Sequence, residues 1–398
     1  MNYTIIYFHR IHFPSASGQT IQVLRDYYAM SKSQTVHLLY RSPSPIDNTQ
    51  LNEVLADFGA QLTPCFSLHC IVDGWFGKYR AGKKVVKLIE SSDGTVIIVT
   101  RVPDHTKTAI SIRDRLSSHS IKVIFELHET AIPHMVYREQ NRNLKALFSY
   151  NIERKIFLRV DGILCTAHPQ LAILHEKFPH HAQAIVLPNS HNEAFFQLLP
   201  KRTKKRERNT FHMRYAGAFA EWKNTAVMIE ALKFLPENVV LDIAGGKLGA
   251  NETTEKMLTE QSQSHGVYNR INYFGFLPPH NVSLFLAEAD CLLLPLGNNV
   301  QSRLFTSPIK LFEYAASNVP MIVTRQPTTI TLIEDGVHAL MVEPDSPQDL
   351  AKKVHYLMQN HDFGQELAQN AKKWVTRYST DARALKYNDF LDRLVNKT

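Results

Sequence analysis

The stretch Thr306-Ser307-Pro308-x-Lys310-x-x-Glu313 combines residue types that can bind an anion. Ser307 is a typical N-cap residue and Pro308 is favoured at the first helical position, so a helix is predicted to begin here. Lys310 then lies in the first turn, where the helix dipole disfavours a cation by up to about 1 kcal/mol. A phosphate at the helix N-terminus would remove this conflict, because free backbone N–H groups and Lys310 would both contact it.

Glu313 lies three residues after Lys310 and therefore on the same face of the helix. A carboxylate one turn beyond a phosphate site is well placed to accept hydrogen bonds from a ribose diol. An ordinary exposed ion pair explains the same spacing, and such a pair contributes little to stability. The flanking strands DCLLLPL and PMIVT favour the binding site, because they make the helix a crossover whose N-terminus points to the ligand-binding edge of a sheet.

This helix belongs to a regular alternation of strands and helices. Short β-branched or aromatic runs predict strands, and longer periodic runs such as TIQVLRDYYAMS and TAVMIEALKFL predict helices between them. The predicted strands are TIIYF, TVHLLY, TVIIV, KVIFEL and GILCT in the first half, and FHMRYAG, VVLDIAG, INYFGF, DCLLLPL, PMIVT and ALMVE in the second. The pattern predicts an α/β fold with two doubly wound, Rossmann-like domains facing across a cleft.

The domain boundary is predicted from charge. Residues 201–208 contain six basic residues and one acidic residue, which is typical of an exposed linker. We therefore expect an N-terminal domain at 1–200, a linker at 201–209, a C-terminal domain at 210–372 and a final helix at 373–398 that packs back toward the N-terminal domain. A nucleic-acid-binding arm is less favoured, because no aromatic residues are interleaved with the basic ones.

Composition limits the class of protein. The chain has 398 residues, 44% apolar and 21% charged, which suits a globular protein of two domains. No apolar run has the length of a membrane span, and MNYTIIYFHRIHF does not read as a signal peptide. The cysteines have neither metal-site nor redox spacing; they are Cys65, Cys70, Cys165 and Cys291. We expect a cytoplasmic protein with Cys165 and Cys291 buried, and without a metal site.

The net charge of +8 indicates an acidic partner. Residues 71–90, IVDGWFGKYRAGKKVVKLIE, mix three aromatic residues with five basic ones. This mixture is typical of a segment that lies on an anionic membrane surface, so peripheral contact with the inner face of a membrane is one expectation. A basic helix that merely covers the N-terminal sheet is the competing interpretation. We expect no specific nucleic acid as a partner.

Several stretches resemble a known family. SPIKLFEYAASNVPMIVT and LIEDGVHALMVEPDSPQDLAKKV resemble the C-terminal domain of the retaining glycosyltransferases of family 4, in the subgroup with a TSP-x-K-x-x-E helix. SASGQTIQVLRDYYAMS, FELHET, DGILCTAH and IVLPNSHNEAFF resemble N-terminal segments of that family. The resemblance implies a GT-B fold, a nucleotide-sugar donor bound by the C-terminal domain, and a glycan or lipid-linked acceptor on the N-terminal side. It also implies that no cofactor is needed.

The resemblance implies roles in donor binding for the TSP helix. Glu313 corresponds to the family's ribose-binding glutamate, and Phe305 stands where many members have a glutamate that contacts the donor sugar. Lys310 and the segment Thr306–Pro308 would then have to contact the sugar and the phosphates. The identity of the sugar is left open by this departure.

A second family segment follows the first strand of the C-terminal domain, here GAFAEWKN. Gly217 and Lys223 match the family's diphosphate-binding residues, whereas Ala218 replaces an arginine and Asn224 replaces a glycine. Lys223 keeps one cation, and the TSP helix or Arg303 would supply the second. The reaction needs two cations on the departing diphosphate if no metal takes part.

Further positions follow from the same resemblance. Gly18 in the loop ASGQT would approach the donor phosphate, and the backbone at Phe276 and Leu277 would contact the nucleobase. His128 would lie near the transferred sugar, with Glu126 in strand phase to support it. A simple turn at Gly18 and an ordinary histidine at a strand end are the competing interpretations.

The predicted catalytic residues are therefore His128, Lys223 and Lys310. Two other functions share the fold: a nucleotide-sugar epimerase or glycan phosphorylase, and a non-catalytic scaffold with a basic binding surface. The TSP helix and Lys223 favour the transferase, whereas Ala218 and Phe305 mildly favour the scaffold.

Overall fold

The computed structural model describes residues 3–15, 17–128, 144–197, 209–219, 223–246 and 251–396. The chain forms two compact units, unit 1 with residues 1–189 and 380–398, and unit 2 with residues 190–379. Unit 1 thus ends at residue 189 where the sequence predicted 200, and its last segment begins at 380 where the sequence predicted 373. Residues 201–208 of the predicted linker lie outside the described part of the chain.

The described residues of unit 1 form a parallel sheet of seven strands in the order β3-β2-β1-β4-β5-β6-β7. The strands are β1 Tyr3–His12, β2 Thr35–Ser42, β3 Phe66–Val72, β4 Thr95–Thr100, β5 Ile121–Leu127, β6 Gly162–Cys165 and β7 Gln183–Val186. The sequence prediction missed β3 and β7. Both are edge strands, which are covered less completely and therefore carry a weaker apolar signal than central parallel strands.

Helices cover both faces of this sheet. They are α1 Gly18–Met30, α2 Asn48–Ala56, α3 Gly77–Glu90, α4 Pro103–Arg115, α5 Leu144–Phe157 and α6 His168–Lys177. The neighbouring residues Ile5 and Ile6 point into different apolar clusters, as the two-residue period of a strand requires. α1 and α2 contribute to the cluster of Ile5, and α3 to α6 contribute to the cluster of Ile6.

The described residues of unit 2 form a second parallel sheet, of six strands in the order β10-β9-β8-β11-β12-β13. The strands are β8 Phe211–Gly217, β9 Val239–Gly245, β10 Ile271–Tyr273, β11 Cys291–Leu294, β12 Met321–Thr324 and β13 Leu340–Val342. All six overlap predicted strands. The chain moves outward from β8 to β10 and then returns to build β11 on the other side of β8, so β8 and β11 flank a topological switch point.

The helices of unit 2 are α7 Glu193–Gln197, α8 Ala226–Ala231, α9 Asn251–Ser264, α10 Pro279–Ala287, α11 Ile309–Ala316, α12 Pro327–Ile330, α13 Pro347–Gln359 and α14 His361–Val375. α11 and α14 share one face, where the rings of Phe312 and Trp374 stack with centroids 5.9 Å apart. α8 and α13 pack on the other face. Cys165 in unit 1 and Cys291 in unit 2 are buried, as predicted.

The last helix, α15 Thr380–Val395, belongs to unit 1. It packs against α1 through Tyr387, Phe390 and Leu391, which lie in the same apolar cluster as α1. Among the described residues, no helix is both long and apolar enough to span a membrane.

Candidate functional site

The switch point of unit 2 brings together the loops that the sequence analysis singled out. β11 pairs with β8, so their carboxyl ends are neighbours. Gly217 ends β8 and is followed by the segment that carries Lys223, and the loop after β11 leads into α11 with Lys310 and Glu313. The Ala216 backbone N–H donates a hydrogen bond of 3.0 Å to the hydroxyl oxygen of Tyr314, which ties the end of β8 to α11.

The glycines at this edge permit a close approach of three turns. Gly245 has a φ of +128°, and a Cβ there would lie 2.1 Å from the carbonyl oxygen of Gly217. The N–H of Gly246 donates to that same carbonyl at 3.2 Å, and the N–H of Gly245 donates to the Gly275 carbonyl at 2.8 Å. The sequence suggested only a turn at Gly245 and Gly246. The structure shows that they lock the ends of β8, β9 and β10 together.

The helix of the TSP motif begins one residue later than predicted. Pro308 occupies the N-cap position with φ −72° and ψ 115°, and Ile309 is the first helical residue. Ser307 precedes a proline, which disfavours helical backbone at that residue. Lys310 is therefore the second helical residue and still lies in the first turn.

Lys310 and Glu313 form the ion pair that was the competing interpretation of their spacing. Lys310 Nζ lies 2.7 Å from Glu313 Oε2, and the two side chains are 25% and 9% exposed. The pair is thus mostly buried and not a solvated surface pair. Burial of two charges carries a desolvation penalty, so this pair is weak evidence for stabilisation and compatible with a binding role.

Lys223 lies beside this pair. Its Nζ donates a hydrogen bond of 3.2 Å to the Ala218 carbonyl, the position where an arginine was expected from the family. Burial and the nearby cation of Lys310 lower the pKa of Lys223 to about 8. Two ammonium groups held close at the end of a parallel sheet are an arrangement that an anion would stabilise.

The loop before α11 is held in place by hydrogen bonds from side chains of the neighbouring segment. It contains a π-helical turn at Gln301–Phe305, a feature frequent at functional sites. The Gln326 side-chain amide donates to the Gly297 carbonyl at 3.0 Å, and the Thr328 hydroxyl donates to the Ser302 carbonyl at 2.6 Å. The loop conformation is therefore fixed by side chains that follow β12.

The remaining predicted residues of unit 2 differ in exposure. Arg303 is exposed on the π-helical turn, and Phe305 is buried in it, so Phe305 packs inside the unit. Thr306 and Ser307 are buried, and the hydroxyl of Thr306 donates to the Gln301 carbonyl at 2.8 Å. Both Phe276 and Leu277 follow β10 and are half-buried.

Asp345 is a residue of this site that the sequence analysis missed. Asn224, which replaces the family's glycine, has a φ of +48°, a left-handed conformation that glycine and asparagine tolerate best. Its side-chain amide donates a 2.6 Å hydrogen bond to Asp345, which also has a positive φ of +57°. Asp345 accepts a second bond of 3.1 Å from the Asn298 N–H. The carboxylate thus joins the loops after β8, β11 and β13, next to Lys223.

Asp345→Ala is expected to lower the free energy of unfolding by about 0.5–1.5 kcal/mol, because it removes these hydrogen bonds. Asn224→Gly keeps the backbone conformation and removes only one of them. Urea denaturation of both variants and the double variant measures the coupling. Strictly additive effects would show that Asn224 and Asp345 do not interact.

In unit 1, Gly18 lies at the start of a helix and His128 lies at the end of a strand. Gly18 is the first residue of α1, and the hydroxyl of Ser17 caps this helix by accepting from the Thr20 N–H at 3.2 Å. His128 directly follows β5, and its Nε2 lies 3.4 Å from Glu126 Oε2. Glu126 therefore lies beside His128, on the same side of the strand as their phase suggested.

Burial and charge favour the neutral form of this histidine. Burial and the Arg101 cation lower the pKa of His128, and the Glu126 carboxylate opposes them only in part. Burial alone would raise the pKa of Glu126, but His128, Arg101 and Arg383 together bring it down to about 2. A neutral imidazole beside an ionised carboxylate can donate one hydrogen bond and accept another. In the described part of the chain, no cluster of three His, Cys, Asp or Glu side chains has the geometry of a metal site.

Buried histidines should make the protein acid-sensitive. Burial lowers the pKa of His9 and of His69 to about 3. The unfolded chain, with a histidine pKa of about 6.5, then binds more protons than the folded one. Stability is therefore full above about pH 6.5 and declines toward pH 3 by up to about 1.4 kcal/mol per pH unit for each histidine.

Urea denaturation between about pH 4 and pH 7 measures this slope. His69→Gln should reduce the slope, whereas His355→Gln, on an exposed position of α13, should leave it unchanged. Equal slopes for the wild type and His69→Gln would contradict the expectation.

Comparison with known proteins finds similarity to glycosyltransferases. Residues 199–374 match the sequence model of Glycosyl transferases group 1. An uncharacterized glycosyltransferase of Methanocaldococcus jannaschii is 27% identical over 165 residues, which cover 42% of this chain and 43% of the relative. The matches span about half the length of the curated relatives.

Two solved structures share the fold along the whole chain. Sucrose-phosphate synthase from Thermosynechococcus elongatus has a TM-score of 0.75 at 17% identity, with 100% of both chains covered. HepE from Anabaena, solved in complex with UDP-glucose, has a TM-score of 0.69 at 14% identity, with 99% of this chain and 100% of HepE covered. The chain thus has the predicted GT-B fold of two parallel-sheet, Rossmann-like units, and its residues 199–374 are similar to the Glycosyl transferases group 1 domain.

Proposed function

We propose that the protein is a glycosyltransferase that moves a sugar from a nucleotide-sugar donor to a glycan or lipid-linked acceptor with retained configuration. The observation that carries this proposal is the pairing of Lys223 and Lys310 beside Glu313, at the carboxyl edge of the unit 2 sheet. The complex of HepE with UDP-glucose supports a nucleotide-sugar as the donor class.

Donor binding would rearrange the charges of this edge. The diphosphate contacts Lys223, Lys310 and backbone N–H groups at the start of α11. Lys310 then turns from Glu313 to the phosphates, and the Glu313 carboxylate becomes available to the ribose hydroxyls. Two cations already in place stabilise the negative charge that grows on the departing diphosphate, so the proposed reaction needs no metal.

The chemical step balances without a carboxylate nucleophile. The bond between the anomeric carbon and the phosphate oxygen breaks, and the acceptor oxygen bonds to the same face of that carbon. The acceptor proton passes to the leaving diphosphate. In this scheme His128 hydrogen-bonds the transferred sugar or orients the acceptor, and Glu126 holds its ring.

Calorimetric titration with UDP, GDP, ADP and their sugars tests the proposal. We expect one nucleotide and its sugar to bind, both with and without EDTA. NMR of the product formed on a trial acceptor reports whether the anomeric configuration is retained. If none of the nucleotides binds at millimolar concentration, the proposed function is wrong.

The basic, aromatic surface of unit 1 supports a peripheral membrane contact, which we include in the proposal. Trp75, Phe76 and Tyr79 are 102%, 70% and 61% exposed, and Lys83 lies 4.8 Å above the Tyr79 ring. The opposite face of α3 is buried against the sheet, as the competing interpretation of this helix requires. The exposed face presents aromatic rings and cations, which suit an anionic lipid interface.

Co-sedimentation with vesicles tests this contact. The protein should bind vesicles that contain phosphatidylglycerol and should not bind neutral phosphatidylcholine vesicles. The double variant Trp75→Ser, Phe76→Ser should lose most of the binding, whereas Tyr356→Ser, at an exposed position of unit 2, should retain it. Undiminished binding by the double variant would locate the contact elsewhere.

A further inference from the structure

Arg383 of α15 is a cation enclosed within unit 1. Its side chain is 4% exposed, and its Nη1 lies 2.7 Å from Asp26 Oδ2 on α1. Its Nε donates a hydrogen bond of 2.9 Å to the Pro188 carbonyl, and its Nη2 lies 3.9 Å from Glu126 Oε1. Asp26 and Glu126 are themselves buried, at 3% and 5% exposure. Arg383 is therefore a shared counter-ion of two buried carboxylates.

This cluster continues to His128. Glu126 Oε1 lies 3.9 Å from Arg383 Nη2, and Glu126 Oε2 lies 3.4 Å from His128 Nε2, a buried atom that makes no hydrogen bond to a described residue. The Tyr7 hydroxyl donates a 3.5 Å hydrogen bond to the same Oε2. The charged or titratable groups that act on His128 are Glu126 on β5, Arg101 after β4, His9 on β1 and Arg383 on α15. A continuous line of contacts thus runs from the C-terminal helix to the ring at the end of β5.

Anchoring of α15 does not account for this arrangement. Tyr387, Phe390 and Leu391 already bury the helix in the core of unit 1. An exposed ion pair of 2.6 Å between Lys32 and Asp381 joins the same helix to the end of α1. Because buried ion pairs rarely stabilise more than apolar residues of the same size, a buried arginine here indicates a more specific role.

We infer that Arg383 is a positioning residue, which fixes the Glu126 carboxylate beside His128 and so sets the orientation of that ring. The importance of His128 in sugar transfer rests on the proposed function, whereas the arrangement itself does not. The C-terminal helix would then contribute to the site through a residue that touches neither donor nor acceptor.

Nitrogen NMR of histidine-labelled protein tests the inference without any nucleotide. His128→Gln assigns the signals of His128. In the wild type, the negative charge of Glu126, 3.4 Å away, should favour the tautomer protonated on Nε2, so the two ring nitrogens should show widely separated shifts. Arg383→Gln should bring these shifts closer together, because a released carboxylate lets the two tautomers mix. Asp381→Asn, which removes the exposed ion pair of the same helix, should leave them unchanged.

Each outcome decides the question. A folded Arg383→Gln variant with wild-type shifts at His128 would overturn the inference. If this variant does not fold, Arg383→Lys is the second test. It keeps the positive charge but lacks the planar guanidinium group with its paired N–H donors, and the same change of shifts is expected. If neither folds, Arg383 serves the stability of unit 1 and the inference is rejected. Changed shifts in a protein that binds no nucleotide would uphold the inference while the proposed function fails.

Discussion

Lys310→Ala should weaken binding of the nucleoside diphosphate by about 1.5–3 kcal/mol, roughly a tenfold to 150-fold rise in Kd. The variant removes a charge-assisted contact to phosphate and leaves the mostly buried Glu313 carboxylate without its 2.7 Å partner. The remaining negative charge of Glu313 repels the incoming diphosphate. Calorimetric titration at pH 7 measures the change.

Lys256→Ala is a matched control for this experiment. Lys256 lies in the same unit, its side chain is 78% exposed, and it forms only a loose 3.9 Å pair with Glu260. Its removal takes away the same formal charge from an exposed side chain outside α11, so the Kd should change much less. Equal effects of the two variants would mean that net charge, and not a diphosphate site on α11, determines the affinity.

The pH dependence of binding gives the same experiment a second readout. Burial and, second to it, the nearby Lys310 lower the pKa of Lys223 to about 8. Since the diphosphate prefers protonated lysine, affinity should fall as the pH rises through about 8. In Lys310→Ala only burial still lowers the pKa of Lys223, so this pKa should rise in part and the decline should move to somewhat higher pH.

Gly245→Ala should destabilise the protein by at least about 3 kcal/mol. The new Cβ would lie 2.1 Å from the carbonyl oxygen and 2.7 Å from the carbonyl carbon of Gly217, and the φ of +128° is unfavourable for any residue with a side chain. Relief requires the ends of β8 and β9 to separate, so nucleotide binding should be lost as well. Urea denaturation and the titration described above measure both effects.

Gly336→Ala separates backbone strain from collision. Gly336 has a φ of +74°, but no atom lies within 4 Å of an added Cβ. Its replacement should cost only about 1–2 kcal/mol, the penalty of a left-handed residue. Similar losses for both variants would show that the contact between Gly245 and Gly217 is not tight in solution.

The parts of the site that could be predicted are those encoded over short distances in the sequence. Lys310 and Glu313 are three residues apart on one helix, and Glu126 and His128 are two residues apart at the end of a strand, so the local period placed each pair. The six strands of unit 2 were also evident, because strands buried on both faces are almost continuously apolar.

The parts that were missed depend on contacts between distant residues. Asp345 meets Asn224 only because the loops after β8 and β13 converge, and no local pattern reports this. The contact of Arg383 with Asp26 likewise depends on the return of the chain to unit 1. The sequence prediction placed the start of α11 one residue too early. Serine is a residue type typical of N-cap positions, but Ser307 precedes a proline.

The return of the chain to unit 1 has a consequence for protein engineering. At the start and end of unit 2, the His191 N–H donates to the Tyr378 carbonyl at 3.1 Å, and His191 forms a β-bridge with Ser379. In unit 1, Arg383 binds the Pro188 carbonyl. Both ends of residues 190–379 thus lie side by side, and unit 2 is topologically a cassette inserted into another domain. Two splice points, one at each end of residues 190–379, should therefore be enough to replace this inserted unit with the equivalent unit of a relative. Unit 1 then keeps both of its own chain segments.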